Sequence, residues 1–182
     1  MAEQLDRELV EQVLGGRVDA FNLLVWRWQR SLYNFLYRLT GDREQARDLA
    51  QESFLKAYTR LKDLRERDKF SAWLFRIAVN QYRSSRRSLP PVEAWDALAL
   101  DEMQTGVDPA SRELRMTVRT LIGRLTPEQR EVVLLKVYEG FRFEEIAGIL
   151  DCPVSTVKSR LYTAFEQLRT GLNAKTTHIA RA

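Results

Sequence analysis

Apolar residues recur every three or four positions along nearly the whole chain, and this spacing is the feature that most constrains the fold. It is the period of an α-helix with one buried face, whereas a half-buried strand alternates its apolar residues. No segment alternates strongly enough to compete, so the sequence predicts an all-α protein. The longest apolar stripe consists of Val18, Phe21, Leu24, Val25, Trp28, Leu32, Phe35, Leu36 and Leu39.

The first helical block contains four such stripes. A short leading helix ends at Gly15 and Gly16, and the long second helix is broken at Gly41, since glycine accommodates the left-handed conformation at a helix C-terminus. Asp42 is a suitable N-cap for the third helix. We expect residues 1–87 to form one domain. After a charged loop, its fourth helix turns four residues inward, namely Phe70, Leu74, Ile77 and Ala78.

The helical pattern fails in one long segment, residues 88–111. This segment contains three prolines and no Lys or Arg. Such a composition is typical of a solvated, flexible spacer between two domains. An acidic strap lying in a basic channel is the alternative interpretation. The acidic residues of the segment are Glu93, Asp96, Asp101, Glu102 and Asp108.

A second helical block follows this linker. We assign residues 112–175 to a second domain and residues 176–182 to a tail. Inside the block Thr126 is a good N-cap, with proline at the next position and Gln129 completing a capping box, and that helix is expected to continue to Gly140. The predicted fold is therefore all-α, with two small helical domains joined by a flexible acidic linker.

Two segments near the end of the second block are predicted to form a helix-turn-helix. The helix from Phe143 to Leu150 and the helix from Val154 to about residue 172 are separated by three residues, so they must cross at a steep angle. Outward side chains near the N-terminus of the second helix reach base edges or phosphates in the major groove. A plain surface face without a nucleic-acid role is the alternative. The candidate DNA contacts are Arg142, Ser155, Thr156, Lys158, Ser159, Arg160 and Tyr162.

A cationic stripe runs along the fourth helix of the first block. Its members follow one another at spacings of four and three, so they share one face of the helix. Cationic, aromatic and amide side chains together favour single-stranded nucleic acid, whose unstacked bases need flat and hydrogen-bonding surfaces. A solvated face with Trp73 in the core is the alternative. The cationic stripe consists of Lys69, Trp73, Arg76, Asn80, Arg83 and Arg87.

Composition narrows the function further. The formal charge of +4 favours an anionic partner. One cysteine, Cys152, and one histidine, His178, are too few for a disulfide framework or a zinc site, and no nucleophile accompanies the carboxylates of Asp48 and Glu52. We therefore expect no cofactor, no metal and no enzymatic activity. An acidic N-terminus and the lack of a long apolar run predict a cytoplasmic protein without membrane insertion.

Four segments occur in the order and spacing of a known family, and together they span nearly the whole chain. They are Ala20–Leu24, Asp48–Phe54, Phe70–Asn80 and Asp151–Arg160. With them the chain resembles a bacterial sigma factor of the extracytoplasmic-function (ECF) group, the two-domain class related to the envelope-stress sigma factor. Each segment alone is moderately specific, and the combination is much more so.

The resemblance implies a promoter-specificity subunit of core RNA polymerase. The second domain would bind the minus-thirty-five element as duplex. The cationic stripe, with Leu64 and Arg65, would hold the displaced single strand of the minus-ten element, and the linker would occupy the RNA exit channel. Polymerase contacts would involve the clamp coiled coil and the flap, and an anti-sigma factor would be the inhibitory partner. The residues expected against the clamp are Asp48, Gln51, Glu52 and Phe54.

The chain departs from the family pattern in the loop before Phe70. Family members commonly carry an aromatic residue and a glycine there, in a loop that pockets a flipped base. This chain has Leu, Arg, Glu, Arg and Asp at positions 64–68. The identity of the selected base therefore does not follow from the resemblance.

Two other hypotheses stay open at this point. A conventional helix-turn-helix regulator has a similar recognition helix, binds as a dimer, and would use the first block for ligand binding or dimerisation. Alternatively, the first block is a protein-interaction scaffold whose stripe docks acidic proteins. Copurification with core polymerase separates the regulator from the sigma factor, and salt-dependent binding of single-stranded DNA would exclude the scaffold.

Overall fold

The computed structural model describes residues 2–88 and 109–179, with side chains described for residues 5–86 and 113–173. The regular elements of these ranges are all helical, which confirms the predicted fold class. Short 3₁₀ turns occupy Leu61–Asp63 and Arg67–Lys69, and a π-helical turn occupies Leu134–Tyr138. The α-helices are α1 Ala2–Leu14, α2 Asp19–Thr40, α3 Arg43–Thr59, α4 Phe70–Ser88, α5 Pro109–Gly123, α6 Pro127–Val133, α7 Phe143–Leu150 and α8 Val154–Ile179.

In the first domain α2 and α3 form an antiparallel hairpin, against which α1 and α4 pack. Gly41 ends α2 at a φ of 75°, and its N–H donates to the carbonyl oxygen of Tyr37. The carboxylate of Asp42 accepts the Gln45 backbone N–H at 2.9 Å, which confirms the predicted N-cap of α3. The short turn therefore fixes which faces of α2 and α3 meet. It thereby positions the surface of α2 and α3 against which α4 packs.

The second domain begins with the predicted capping box. The Thr126 hydroxyl accepts the Gln129 N–H, and the Gln129 side chain accepts the Thr126 N–H. The helix predicted to continue to Gly140 stays helical to Tyr138, but it is not α-helical throughout. The Glu139 N–H donates to the carbonyl oxygen of Leu134, five residues earlier, so the last stretch is a π-helical turn. Gly140, at a φ of 76°, then reverses the chain.

The predicted helix-turn-helix is present as α7, a three-residue turn and α8. Asp151 leaves α7 in the left-handed conformation, at a φ of 54°. The Cys152 N–H donates to the carbonyl oxygen of Ala147, and the single carbonyl oxygen of Pro153 accepts from the N–H groups of Thr156 and Val157 in the first turn of α8. The tight turn holds the start of α8 in a fixed orientation to α7.

Two helices extend beyond their predicted bounds. α5 begins at Pro109, before the expected start at residue 112, because proline fits the first turn of a helix, where its missing N–H is not needed. α8 runs to Ile179, past the predicted end near 172 and into the segment predicted as a tail, since neither Gly nor Pro interrupts it there. The acidic stretch 89–108, on which the linker interpretation rests, lies outside the described residues. No helix in the described ranges is long and apolar enough to span a bilayer.

The two domains pack against each other, which the sequence did not predict. Buried residues of both domains form one contiguous apolar cluster. The main contact lies between α4 and α7, and α2 also touches α6 and the π-helical turn. At the centre the rings of Phe75 and Phe141 meet edge to face, 5.1 Å apart. The fold thus brings the cationic stripe of α4 next to the helix-turn-helix.

Candidate nucleic-acid interface

The start of α8 presents a polar face to solvent. The side chains of Ser155, Lys158, Ser159 and Tyr162 are exposed, while Val157 and Leu161 are buried against the rest of the second domain. This arrangement matches the predicted recognition face. Outward side chains within the first turns of such a helix are those that enter a major groove.

The other three residues predicted at this surface differ in their placement. Arg142 is exposed at the N-cap of α7, where its own N–H donates to the Glu145 carboxylate at 2.7 Å. Thr156 is half-buried. Arg160 is also half-buried, and its guanidinium lies 3.9 Å from the Cys152 sulfur in the turn. The side chain of Arg142 is therefore open to solvent, and that of Arg160 lies against the turn.

The ring of Phe143 supports the ammonium group of Lys158. The Lys158 nitrogen lies 5.4 Å from the ring centroid, and the Lys136 nitrogen lies 4.8 Å from the same centroid. Cation–π attraction of this kind restricts a flexible lysine. The sequence pattern did not predict this pair of lysines over one aromatic ring.

The cationic stripe forms one face of α4, as predicted. Arg76 and Asn80 are exposed. Lys69 is exposed and pairs with Glu66, and this hydrogen bond is the main cause that raises the pKa of Lys69. Trp73 is half-buried against the core, its ring 6.3 Å from that of Phe70, so it is part core and part surface. The side chain of Arg87 lies outside the described residues.

Arg83 differs from the rest of the stripe because it is bound to the second domain. Its Nε and Nη2 donate to the two carboxylate oxygens of Glu131 at 3.1 and 2.6 Å. Its Nη1 donates to the carbonyl oxygen of Leu150, at the end of α7, at 3.3 Å. The hydrogen bond to Glu131 raises the pKa of Arg83. Arg83 is therefore held to the second domain by hydrogen bonds to both Glu131 and Leu150.

The loop before α4 is only partly available to a ligand. Arg65 is exposed, but the side chain of Leu64 is 4% exposed, so the prediction of a surface role for Leu64 is wrong. Leu64 is apolar and directly follows the 3₁₀ turn Leu61–Asp63, and its side chain belongs to the buried apolar cluster. A cleft of about 660 Å³ between this loop, α4 and α7 includes Leu64, Trp73 and Ile149 in its walls.

The α3 face expected to meet polymerase is formed by Asp48, Gln51 and Glu52, all exposed. Glu52 also accepts a hydrogen bond from Gln81 of α4 at 2.7 Å. Phe54 was predicted to join this face, and that prediction is wrong. The helix turns Phe54 inward, where it belongs to the buried core.

Two family models match the chain, one in each domain. The model described as Sigma-70 region 2 matches residues 24–89, and that described as Sigma-70, region 4 matches residues 115–168. The chain is 39% identical over 184 residues to the ECF RNA polymerase sigma-E factor of Salmonella typhimurium, with 92% of this chain and 95% of that protein covered. The chain belongs to the sigma-70 family. Its relatives, such as this sigma-E factor, place it in the extracytoplasmic-function (ECF) group of that family.

Further relatives agree with this assignment. The sigma factor is 35% identical over 181 residues to the RNA polymerase sigma-H factor of Pseudomonas aeruginosa, covering 92% of this chain and 94% of that one. Among solved structures it is similar to CnrH in complex with the cytosolic domain of CnrY, with a TM-score of 0.71, 27% identity, and 93% and 98% of the two chains covered.

A second solved structure is similar over a shorter span. It is the sigma factor RpoE in complex with the anti-sigma factor NepR from Bartonella quintana, with a TM-score of 0.66 and 25% identity. The match covers 84% of this sigma factor and 96% of that chain. The similarity in both cases extends over both helical domains, so the described helices are arranged much as in these two solved structures.

Sequence reasoning missed two groups of residues in this sigma factor. Leu55 is 65% exposed on the α3 face, and its spacing of four from Gln51 was a signal available in the sequence. Glu131 and Asp151 contact the cationic stripe from the second domain. No local pattern marks those two carboxylates, because their positions depend on how the domains pack.

Proposed function

We propose that this sigma factor directs core RNA polymerase to promoters by means of two separate DNA surfaces. The start of α8 reads the minus-thirty-five element as duplex, and the cationic stripe holds the displaced single strand of the minus-ten element. One observation carries the proposal: the region 2 match contains the whole stripe and the region 4 match contains the whole recognition face. A dimeric regulator and a protein scaffold account for only one of these two matches each.

The partners follow from the same assignment. The α3 face, with Asp48, Gln51 and Glu52, is proposed to bind the polymerase clamp coiled coil, and the second domain is proposed to contact the flap. An anti-sigma factor is proposed as inhibitor, since the similar structure of RpoE from Bartonella quintana is a complex of a sigma factor with an anti-sigma factor. The chain has no catalytic activity of its own in this proposal. It acts in the cytoplasm, with polymerase on the nucleoid.

The energetics explain why polymerase is needed. Opening DNA costs about 1.4 kcal/mol per base step in lost stacking. Capturing an unpaired base on an aromatic and cationic surface returns about 1–3 kcal/mol per base. The two quantities nearly cancel over a few base pairs, so the isolated chain is expected to bind promoters weakly. Polymerase contacts then decide whether the duplex opens.

Run-off transcription tests the proposal. The purified chain is added to core RNA polymerase with fragments of genomic DNA, and the start sites are mapped. We expect discrete start sites that share upstream elements and that disappear when the chain is omitted. Start sites that are the same with and without the chain would refute the proposal.

A further inference from the structure

A glutamine of α4 reaches across to the α3 face that is proposed to bind polymerase. The side chain of Gln81 is 8% exposed. Its amide nitrogen donates to Oε2 of Glu52 at 2.7 Å, and its amide oxygen accepts from the ammonium group of Lys56. Both partners are exposed residues of α3. The helix that carries the cationic stripe therefore also contacts a residue of the α3 face.

The two charged partners determine which way the Gln81 amide points. An amide nitrogen can only donate a hydrogen bond and an amide oxygen can only accept one, so Lys56 requires the oxygen and Glu52 requires the nitrogen. Both hydrogen bonds involve a charged group, which makes them stronger than bonds between neutral groups. The three side chains thus have one favourable arrangement, in which the buried amide is satisfied at both ends.

This arrangement replaces a contact within α3. Glu52 and Lys56 are four positions apart on one helix, a spacing at which a glutamate and a lysine attract each other directly. A direct pair would draw the carboxylate along α3 toward Lys56. In the described part of the chain the Gln81 amide connects the two groups, and they form no direct ion pair. The direction of the Glu52 side chain is therefore set by α4 rather than by its own helix.

The hydrogen bond from Gln81 occupies one oxygen of the Glu52 carboxylate. The other oxygen, Oε1, accepts no hydrogen bond from the residues that the structure describes. Glu52 is exposed on the same helix face as Asp48. A carboxylate held at one oxygen and open at the other can bind a cationic group of a partner without first being ordered.

We propose that Gln81 is a positioning residue for polymerase binding, which holds the Glu52 carboxylate in the orientation that a cationic group of the clamp binds. This proposal rests on the function proposed above for the α3 face. An exposed glutamate has several rotamers, and a partner that binds one of them loses affinity in proportion to the time spent in the others. Holding one such side chain in advance is worth about threefold to tenfold in affinity.

The first measurement examines the hydrogen bonds of Gln81 in the sigma factor alone. The side-chain amide protons of glutamine give ¹H–¹⁵N NMR signals, and those of Gln81 are assigned by their loss in Gln81→Met. We expect these protons to exchange slowly with solvent, and to exchange faster in Glu52→Ala. The control Glu44→Ala removes an exposed carboxylate from the first turn of α3 and should leave the exchange unchanged. Fast exchange in the parent protein would refute the held amide.

The second measurement is a double-mutant cycle for binding to core RNA polymerase, with Gln81→Met, Glu52→Ala and the double variant. Methionine is about as long as glutamine but can form neither hydrogen bond. We expect Gln81→Met to weaken binding by about threefold to tenfold, and to have no effect when Glu52 is already alanine. An equal loss in both backgrounds would mean that Gln81 acts only through the fold, and positioning would be excluded.

Gln129→Met is the matched control, because Gln129 is also a buried glutamine with two hydrogen bonds, both to Thr126 in the capping box of α6. Urea denaturation should show a loss of stability for both methionine variants, with polymerase affinity lowered only by Gln81→Met. Equal losses of affinity from the two variants would contradict the proposal.

The cycle also separates this proposal from the function on which it rests. If Glu52→Ala leaves polymerase binding unchanged, the polymerase role proposed for Glu52 is wrong, and the positioning role is wrong with it, whatever the amide exchange shows. If Glu52→Ala weakens binding and Gln81→Met does not, the α3 face keeps its proposed role and only the positioning by Gln81 is refuted.

Discussion

Single residues of the recognition face are expected to make separable contributions to DNA binding. Lys158 is exposed, and its ammonium group lies 5.4 Å from the centroid of the Phe143 ring. In the proposed function it is a candidate to contact a guanine edge. We expect Lys158→Ala to cost about 1–3 kcal/mol, or roughly tenfold to a hundredfold, in affinity for a promoter identified by run-off mapping. Arg169→Ala is the control, because Arg169 is an exposed cation on the same helix that pairs with Glu166. Equal losses from both changes would mean that the contact is general charge attraction.

The backbone at Asp151 provides a second test at this scale. Its φ of 54° lies in the left-handed region, which costs a β-branched residue about 1–2 kcal/mol and costs glycine nothing. Asp151→Gly and Asp151→Val both remove the exposed carboxylate near Arg76. We expect the valine variant alone to lower the free energy of unfolding, by about 1–2 kcal/mol, in urea denaturation of the full chain. Indistinguishable midpoints would contradict the turn geometry.

At the scale of elements, the α3 face gives the clearest prediction for polymerase. Leu55 is exposed in line with Asp48 and Gln51, as an apolar side chain at the centre of a binding face would be. We expect Leu55→Ala to weaken core polymerase binding by about 1–2 kcal/mol, measured by fluorescence anisotropy. Leu23→Ala on α2 is the matched control, since Leu23 is similarly exposed. Unfolding midpoints should be the same for both, and an equal loss of affinity from both would contradict an α3-specific interface.

The sequence predicted the positions of the helices better than it predicted the burial of single side chains. Apolar spacing, Asp42 and the capping box at Thr126 determined helix positions, because these signals act within a few residues. The π-helical turn after Val133 was missed, since its hydrogen bonds leave the apolar pattern almost unchanged. Phe54 was predicted to meet polymerase and Leu64 to meet DNA, although each is buried. The burial of an individual side chain depends on which turn of the helix faces the core.

The domain interface could not be predicted from local patterns at all. Glu131 is a charged residue followed directly by two buried valines, yet its partner Arg83 lies 48 positions earlier. A pair so distant in sequence leaves no periodic signal. The contacts of Arg76 and Arg83 with the second domain therefore follow only from the assembled fold. The same separation in sequence explains why the stripe was predicted to be a surface.

At the scale of the whole molecule, the packing of the two domains is expected to depend on pH through Glu139. Burial raises the pKa of its carboxyl, while the hydrogen bond from Ser31 and the charge of Arg38 act in the opposite direction. Tyr138 and Arg119 also face this site, and burial lowers the pKa of Arg38, which nevertheless stays charged. Separation of the domains would expose Glu139 to water and restore its ordinary pKa. The packed arrangement thus binds the Glu139 proton more tightly than separated domains do.

Acidification should therefore favour domain packing, because protonation removes the cost of burying the Glu139 carboxylate. The measurement is electron–electron double resonance between spin labels at Arg47→Cys on α3 and Glu166→Cys on α8, both exposed positions, after Cys152→Ser removes the one native cysteine. We expect the fraction of molecules at the short distance to rise as pH falls from neutral through the raised pKa of Glu139. Glu139→Gln keeps an oxygen that accepts from Ser31 but carries no charge, so this variant should be packed at neutral pH and lose that pH dependence. A variant that still changes over the same range as the parent would show that another group controls domain packing. A parent whose domains separate on acidification would contradict the sign of the coupling.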